Sequence, residues 1–181
     1  TDYVGPQVGS ELIRSSFMAL AFAMGAMMLY LWFRFEWQYG FGGIIALLHD
    51  AIMVVGFYSI TQIEFNLTSV AALLTVIGYS INDSVVIYDR VREDLRKFKV
   101  KPVTEVINLA CNETLARTFL TGGTVLMALL GLVLFGGDVL FGFSAAMIFG
   151  VIIGTYSSIY VSSTILIYLN LRRSELAPLK A

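Results

Sequence analysis

Asn82 and Asp83 place an amide and a carboxylic acid inside a run, 67–88, that is otherwise apolar enough to cross a bilayer. A charged side chain at that depth costs at least ~2.5–3.5 kcal/mol on insertion scales, so an acid retained there needs a partner or a task. The chemistry open to it is taking up and releasing a proton. Thr75, Tyr79 and Asp83 share one helical face at i+4 steps, with Gly78 and Asn82 beside them. One side of this helix is therefore polar and must face protein or water. The alternative is an acid that reaches back to the interface or caps a neighbouring element, for which the Asp side chain is short.

Two other groups belong to the same chemistry. Asp50 lies about ten residues from either end of the run 40–60, near its middle, and His49 precedes it about 100° round the helix. Asp50 reads either as a second station in a proton path or as a neutral acid hydrogen-bonded to a neighbouring helix; His49 by itself reads as structural. Arg117 opens a further run, with Thr121, Thr124, Ala128 and Gly131 roughly in line behind it. Burial favours a protonated acid and a nearby guanidinium favours the anion, so an Arg117–Asp83 pair of changing separation would act as a switch. Position alone equally allows Arg117 to be an ordinary interfacial arginine.

Other chemistries find no support. Asp50 and Asp83 differ in depth by about five residues, or ~7–8 Å, too far for the proton-sharing dyad of an intramembrane aspartyl protease. The Gly-x-Gly-Asp signature of those enzymes is also missing, since Ser80-Ile81-Asn82 precede Asp83. The sequence carries no metal-ligand cluster, phosphate-binding glycine loop, Ser/His/Asp constellation or nucleic-acid signature, so neither catalysis nor a cofactor is expected.

These residues must be positioned by membrane helices. The 181 residues are 57% hydrophobic and only 14% charged, against ~45–50% and ~25% for a soluble domain. Five runs reach the ~20 apolar residues that a spanning helix needs: 12–33, 40–60, 67–88, 118–135 and 141–169. The expected fold is an all-α, polytopic transmembrane bundle occupying 12–171, after an external lead-in, 1–11, and before a tail, 172–181. Ser10-Glu11 suits an N-cap for the first span. Pro102 fits the start of an amphipathic helix over about 102–116, with Val103, Ile107 and Ala110 on one side and Glu105, Asn108, Asn112 and Glu113 on the other; it is expected to lie along the cytoplasmic interface. Gly150, Gly154, Ser158 and Ser162 form a small-residue stripe at i+4 intervals, a packing signal for close helix approach.

The net charge of −1 says little, but its distribution orients the chain. Arg90, Arg92, Arg96, Lys97, Lys99, Lys101 and Arg117 fall between the third and fourth spans, Arg172, Arg173 and Lys180 follow the fifth, and the loops 61–66 and 136–140 hold no Lys or Arg. The positive-inside rule makes the 34–39 and 89–117 loops and the C-terminus cytoplasmic, and the N-terminus external. Arg90 to Lys101 then read as topology determinants and lipid-headgroup contacts. An external start without an initiator Met or signal peptide implies an upstream anchor, and with it an external domain. The single Cys111 falls in the cytoplasmic loop and cannot form an intrachain disulfide.

The stretch Val76-Ile77-Gly78-Tyr79-Ser80-Ile81-Asn82-Asp83-Ser84-Val85-Val86, followed by Asp89-Arg90-Val91-Arg92-Glu93, closely resembles the SecF family. SecF is the smaller subunit of the SecD–SecF accessory complex of the bacterial protein-export translocon. Val4 to Leu12, Leu48-His49-Asp50, Ala116-Arg117-Thr118 and Phe135-Gly136-Gly137 support the likeness, which covers essentially the whole chain. It implies spans two to six of a six-span subunit of the resistance-nodulation-division type, in the bacterial inner membrane, with a periplasmic N-terminus here. It further implies use of the proton gradient in export, with Asp83 as the membrane acid, Arg117 as the helix-start arginine, and Asp50 at a recurrent position of less certain role. SecD is the implied heterodimer partner; the SecYEG translocon, YajC, YidC, unfolded exported proteins and the lipid bilayer are the further implied contacts. Half of a proton-driven lipid or drug exporter, and a scaffold subunit without proton coupling, are the competing readings.

Overall fold

In a bilayer no water is at hand to satisfy the backbone, so each apolar run closes its own hydrogen bonds as a helix. The computed structural model describes residues 6–169 and 171, and these are all-α. The expected tail over 172–181 and the first five residues of the lead-in lie outside the described residues. Helix α1 runs Pro6–Arg34, α2 Trp37–Thr61, α3 Leu67–Lys97 and α4 Val103–Phe135. The last span starts as α5, Gly137–Tyr156, widens into a π-helical turn over Ser157–Ser162, and ends as α6, Ser163–Tyr168. Among the described residues, five helices are thus long and apolar enough to cross a membrane, as expected.

Several boundaries differ from expectation. Helix α1 is already formed at Pro6, which loses nothing at a first helical position because it has no N–H to leave unpaired, so Ser10 lies inside the helix and is not its cap. Helix α3 continues past Tyr88 and carries the charged block with it. The interfacial helix over 102–116 is not a separate element: α4 is unbroken from Val103, and no Gly or Pro interrupts it before Gly122. The two-sided pattern has another origin. Val106, Ile107, Ala110 and Thr114 are buried while Glu105, Asn108, Asn112 and Glu113 are exposed, so this is the docked first half of one long helix.

The turns follow from local chemistry. Asn66 caps α3 by accepting from the backbone N–H of Thr68 at 3.0 Å and of Ser69 at 3.2 Å, while Ser69 Oγ accepts from the Asn66 N–H, a reciprocal capping box. At the other link on that end, Gly137 has φ +69, a left-handed conformation that a side chain would strain.

Helix α3 is the centre of the bundle and packs on α2, α4 and α5. Helix α1 is peripheral; it is tied in where Leu31 and Phe35 are buried against an aromatic cluster. Tyr39 and Tyr88 meet there edge-to-face at 5.1 Å, and Phe35 meets Tyr88 at 5.9 Å, a geometry that aligns ring edges with ring faces.

Beside that cluster the charged block is held by ion pairs within the chain, which corrects the reading of Arg90 and Arg92 as headgroup contacts. Arg92 is buried and its Nη2 lies 2.8 Å from Glu36 Oε1, joining α3 to the α1–α2 turn. Arg90 pairs with Glu93 at 2.8 Å and with Glu113 of α4. Arg34 and Asp89 pair at 2.7 Å, but both are about two-fifths exposed. Positive-inside counting sees the cations and not these partners.

Removing one member of a buried pair strands the other, whereas an exposed pair is screened. Arg92→Ala is expected to lower stability by about 3 kcal/mol, and Arg34→Ala by less than about 1 kcal/mol. Unfolding of the two purified variants by titration with detergent or heat checks the order; equal losses would contradict it.

Candidate functional site: two buried acids at one helix

Asp83 is 3% exposed, and its Oδ2 is buried without a hydrogen-bond partner. One turn earlier the Tyr79 hydroxyl is likewise buried and unpartnered. It points at α4, where a Cβ at Gly122 would lie only 3.3 Å from it, so the missing side chain at 122 is what admits the ring. Thr121 of α4 and Thr155 of α5 are its neighbours. Arg117 is exposed on α4, close enough to act on Asp83 electrostatically yet outside ion-pair distance. Asn82 does not join this group. It is exposed and lines a groove of about 310 Å³ between α1 and α3, with Met27, Tyr30, Ile81 and Val85.

Asp50, on α2, is wholly buried against α3. Its Oδ2 accepts hydrogen bonds from Ser80 Oγ of α3 and, at 2.7 Å, from Ser157 Oγ at the first position of the π turn. Its Oδ1 lies 2.9 Å from His49 Nδ1. Three helical elements are thus pinned at one carboxylate. No hydrogen bond links the two acids among the described residues: Ser80 donates to Asp50, and Asp83 follows one turn along α3, where Arg117 of α4 acts on it.

The small-residue stripe stands where α5 meets α3. A Cβ at Gly150 would overlap the Val76 side chain, and one at Gly154 would lie 3.2 Å from Ser80 Cβ. Ser158 and Ser162 are buried and donate to carbonyls of their own helix, Thr155 O at 2.9 Å and Ser158 O at 3.1 Å. The absence of side chains at 150 and 154 lets α5 come close enough for the π turn to reach Asp50.

Sequence reasoning passed over Ser80 and Ser157. Ser80 carried a signal, being a hydroxyl three residues before Asp83 in a buried span. Ser157 carried none at α-helical spacing, because the i+4 stripe selects Ser158 and the π turn breaks that period. His49, read as structural, touches the buried acid directly.

Among the described residues no three His, Cys, Asp or Glu side chains form a group able to hold a metal ion. At the end away from the charged block a cavity of about 360 Å³ opens between the 62–66 link and the start of α5, with Glu64 and Asp138 on its wall.

Five apolar spans packed around two buried acids define a multi-pass α-helical membrane protein. The chain belongs to the SecD/SecF C-terminal family of protein export membrane proteins, whose family model matches residues 1–172. It is 58% identical over 165 residues to a protein translocase subunit SecF of Rickettsia bellii, covering 91% of this chain and 54% of the relative. It is 57% identical to the SecF of Rickettsia prowazekii, covering 91% of this chain and 53% of that one. The chain therefore spans about half the length of the curated relatives it matches. In structure it is similar to SecDF, a translocon-associated membrane protein from Thermus, with TM-score 0.87, 44% identity, and coverage of 93% of this chain and 24% of that one. A second SecDF crystal form, described as super-membrane-facing, gives TM-score 0.84 and 41% identity, covering 94% of this chain and 23% of that one. The likeness to SecF stands on all three comparisons.

The α3–α5 contact makes a checkable statement. Gly150→Ala is expected to cost about 1–3 kcal/mol by overpacking against Val76, and Val76→Ala in the same chain should restore part of it, a non-additivity that contacting residues show. Thermal unfolding of the single and double variants reads this out; strictly additive losses would contradict the contact.

Proposed function

We propose that this chain is the membrane-spanning part of a SecF subunit that uses the proton motive force to promote protein export across the bacterial inner membrane. The observation that carries the reading is Asp83: an almost fully buried acid, with one oxygen lacking any hydrogen-bond donor and a guanidinium nearby that, among the described residues, forms no ion pair. The charge of such a group is governed by where that guanidinium stands. Movement of α4 relative to α3 then changes the proton occupancy of Asp83, and by reciprocity proton binding biases that movement.

Family membership extends the reading. The subunit works as half of a heterodimer with SecD, beside the SecYEG translocon and with YajC, YidC and unfolded exported chains as further contacts. Protons come from the periplasmic side, where the cavity at Glu64 and Asp138 offers a polar mouth, and leave towards the charged block, which faces the cytoplasm. The start of α1 is periplasmic and the end of the last span cytoplasmic.

The test uses the full-length subunit with its partner in membrane vesicles, measuring the gradient-stimulated part of preprotein export. Asp83→Asn is expected to lower it by about tenfold or more, the scale of a positioned proton-transfer group; wild-type stimulation would sink proton coupling and favour a scaffold. Arg117→Lys should keep more activity than Arg117→Ala where charge alone matters, and equal loss would assign the role to guanidinium geometry. Orientation is read separately. A thiol placed by Asn112→Cys, at an exposed position of α4, should react with membrane-impermeant reagent only from the cytoplasmic side.

A further inference from the structure

Both oxygens of the Asp50 carboxylate are hydrogen-bonded, Oδ2 by Ser80 Oγ and Ser157 Oγ and Oδ1 by His49 Nδ1. Asp50 is wholly buried, whereas the His49 side chain is 32% exposed. Among the described residues His49 is the one cation-forming group within ion-pair reach of Asp50. Helix α3 and the π turn present serine hydroxyls to it, and α1, α5 and α6 present no titratable group within hydrogen-bond distance. The imidazole is therefore the titratable link between the buried carboxylate and the surface.

On its other side the carboxylate holds the opening residue of the π turn. Such turns insert a residue into a helix and occur often at functional sites. The Ser157 hydroxyl has a second acceptor at hand, Gly154 O at 3.2 Å. Ser158, Ser162 and Ser163 donate to carbonyls of the same segment, Ser163 reaching Ser158 O at 3.3 Å, so its polar groups stay satisfied when Ser157 turns away.

We propose that His49 and Asp50 form a proton-loading couple whose charge sets the geometry of the π-helical turn through Ser157. The inference rests on the proton-coupling reading above and adds a second site to it. Uptake forms one N–H bond at His49 Nε2 and breaks one O–H bond of a hydronium ion admitted from the periplasmic side; the Nδ1 proton stays on His49 or passes to Asp50 Oδ1. Either way the couple goes from one negative charge to none. Where that proton passes to Asp50 Oδ1, the Ser157 bond to the carboxyl group loses its charge assistance. Its hydroxyl turns to Gly154 O, α2 releases the π turn, and α6 is free to change register against α2 and α4. Release of the proton reverses each step.

The experiment measures hydrogen–deuterium exchange over 155–168 as pH is lowered, corrected for intrinsic rates, on the full-length subunit with its partner in lipid nanodiscs. Wild-type exchange is expected to rise through one transition that Asp50→Asn and His49→Gln abolish and Ser157→Ala flattens. No transition in the wild type, or an unchanged one in His49→Gln and Ser157→Ala, overturns the proposal; these two mild substitutions decide it should Asp50→Asn fail to assemble. In vesicles, His49→Gln is expected to lower gradient-stimulated export by about tenfold. Wild-type stimulation in His49→Gln together with loss in Asp83→Asn overturns this inference and leaves the proposed function standing. Wild-type stimulation in both overturns both.

Discussion

A carboxylate taken out of water has to be compensated where it stands, and the bundle compensates its two buried acids in opposite ways. Asp50 is surrounded by donors from its own helix, from α3 and from the π turn. Asp83 has an oxygen that meets no donor, with only the charge of Arg117 in the vicinity. The placement of the helices follows from meeting the first requirement and leaving the second open.

Helix α3 serves the two acids with different residues. Ser80 donates to Asp50, while Tyr79 reaches α4 and Asp83 is acted on by Arg117 of α4. Close approach on both flanks depends on glycine: Gly150 and Gly154 bring α5 onto Val76 and Ser80, and Gly122 brings α4 onto Tyr79. Lipid tails are as apolar as the core, so burial gives no hydrophobic drive between these helices, and shape and hydrogen bonding have to hold them. Ion pairs do the same at the charged end, where Arg92 fastens α3 to the α1–α2 turn and Arg90 fastens it to α4.

Much of this was legible in the sequence, for physical reasons. Spans are legible because a bilayer demands length and apolarity together, and Asp83 because an acid in such a run breaks the pattern. The continuity of α4 was hidden by charges on the solvent side of a docked helix, which imitate an interfacial one. Arg92 was misread because its partner, Glu36, is distant in sequence. Ser157 was invisible because an inserted residue shifts every later side chain round the helix, and periodicity arguments assume that no such insertion exists.

The contrast between the acids bears on how a proton could do work here. Because the Asp50 network ties α2, α3 and the last span together, a change of charge at that point alters the bonds between helices. Asp83 has no such bonds to alter; what changes with its charge is the attraction to a guanidinium that is itself exposed and, among the described residues, in no ion pair. One acid therefore acts on internal packing, and the other is sensitive to whatever lies against the outer face of α4. A helix pair that held both acids in full hydrogen-bond shells would be rigid to the proton, and one that held neither would have nothing to transmit.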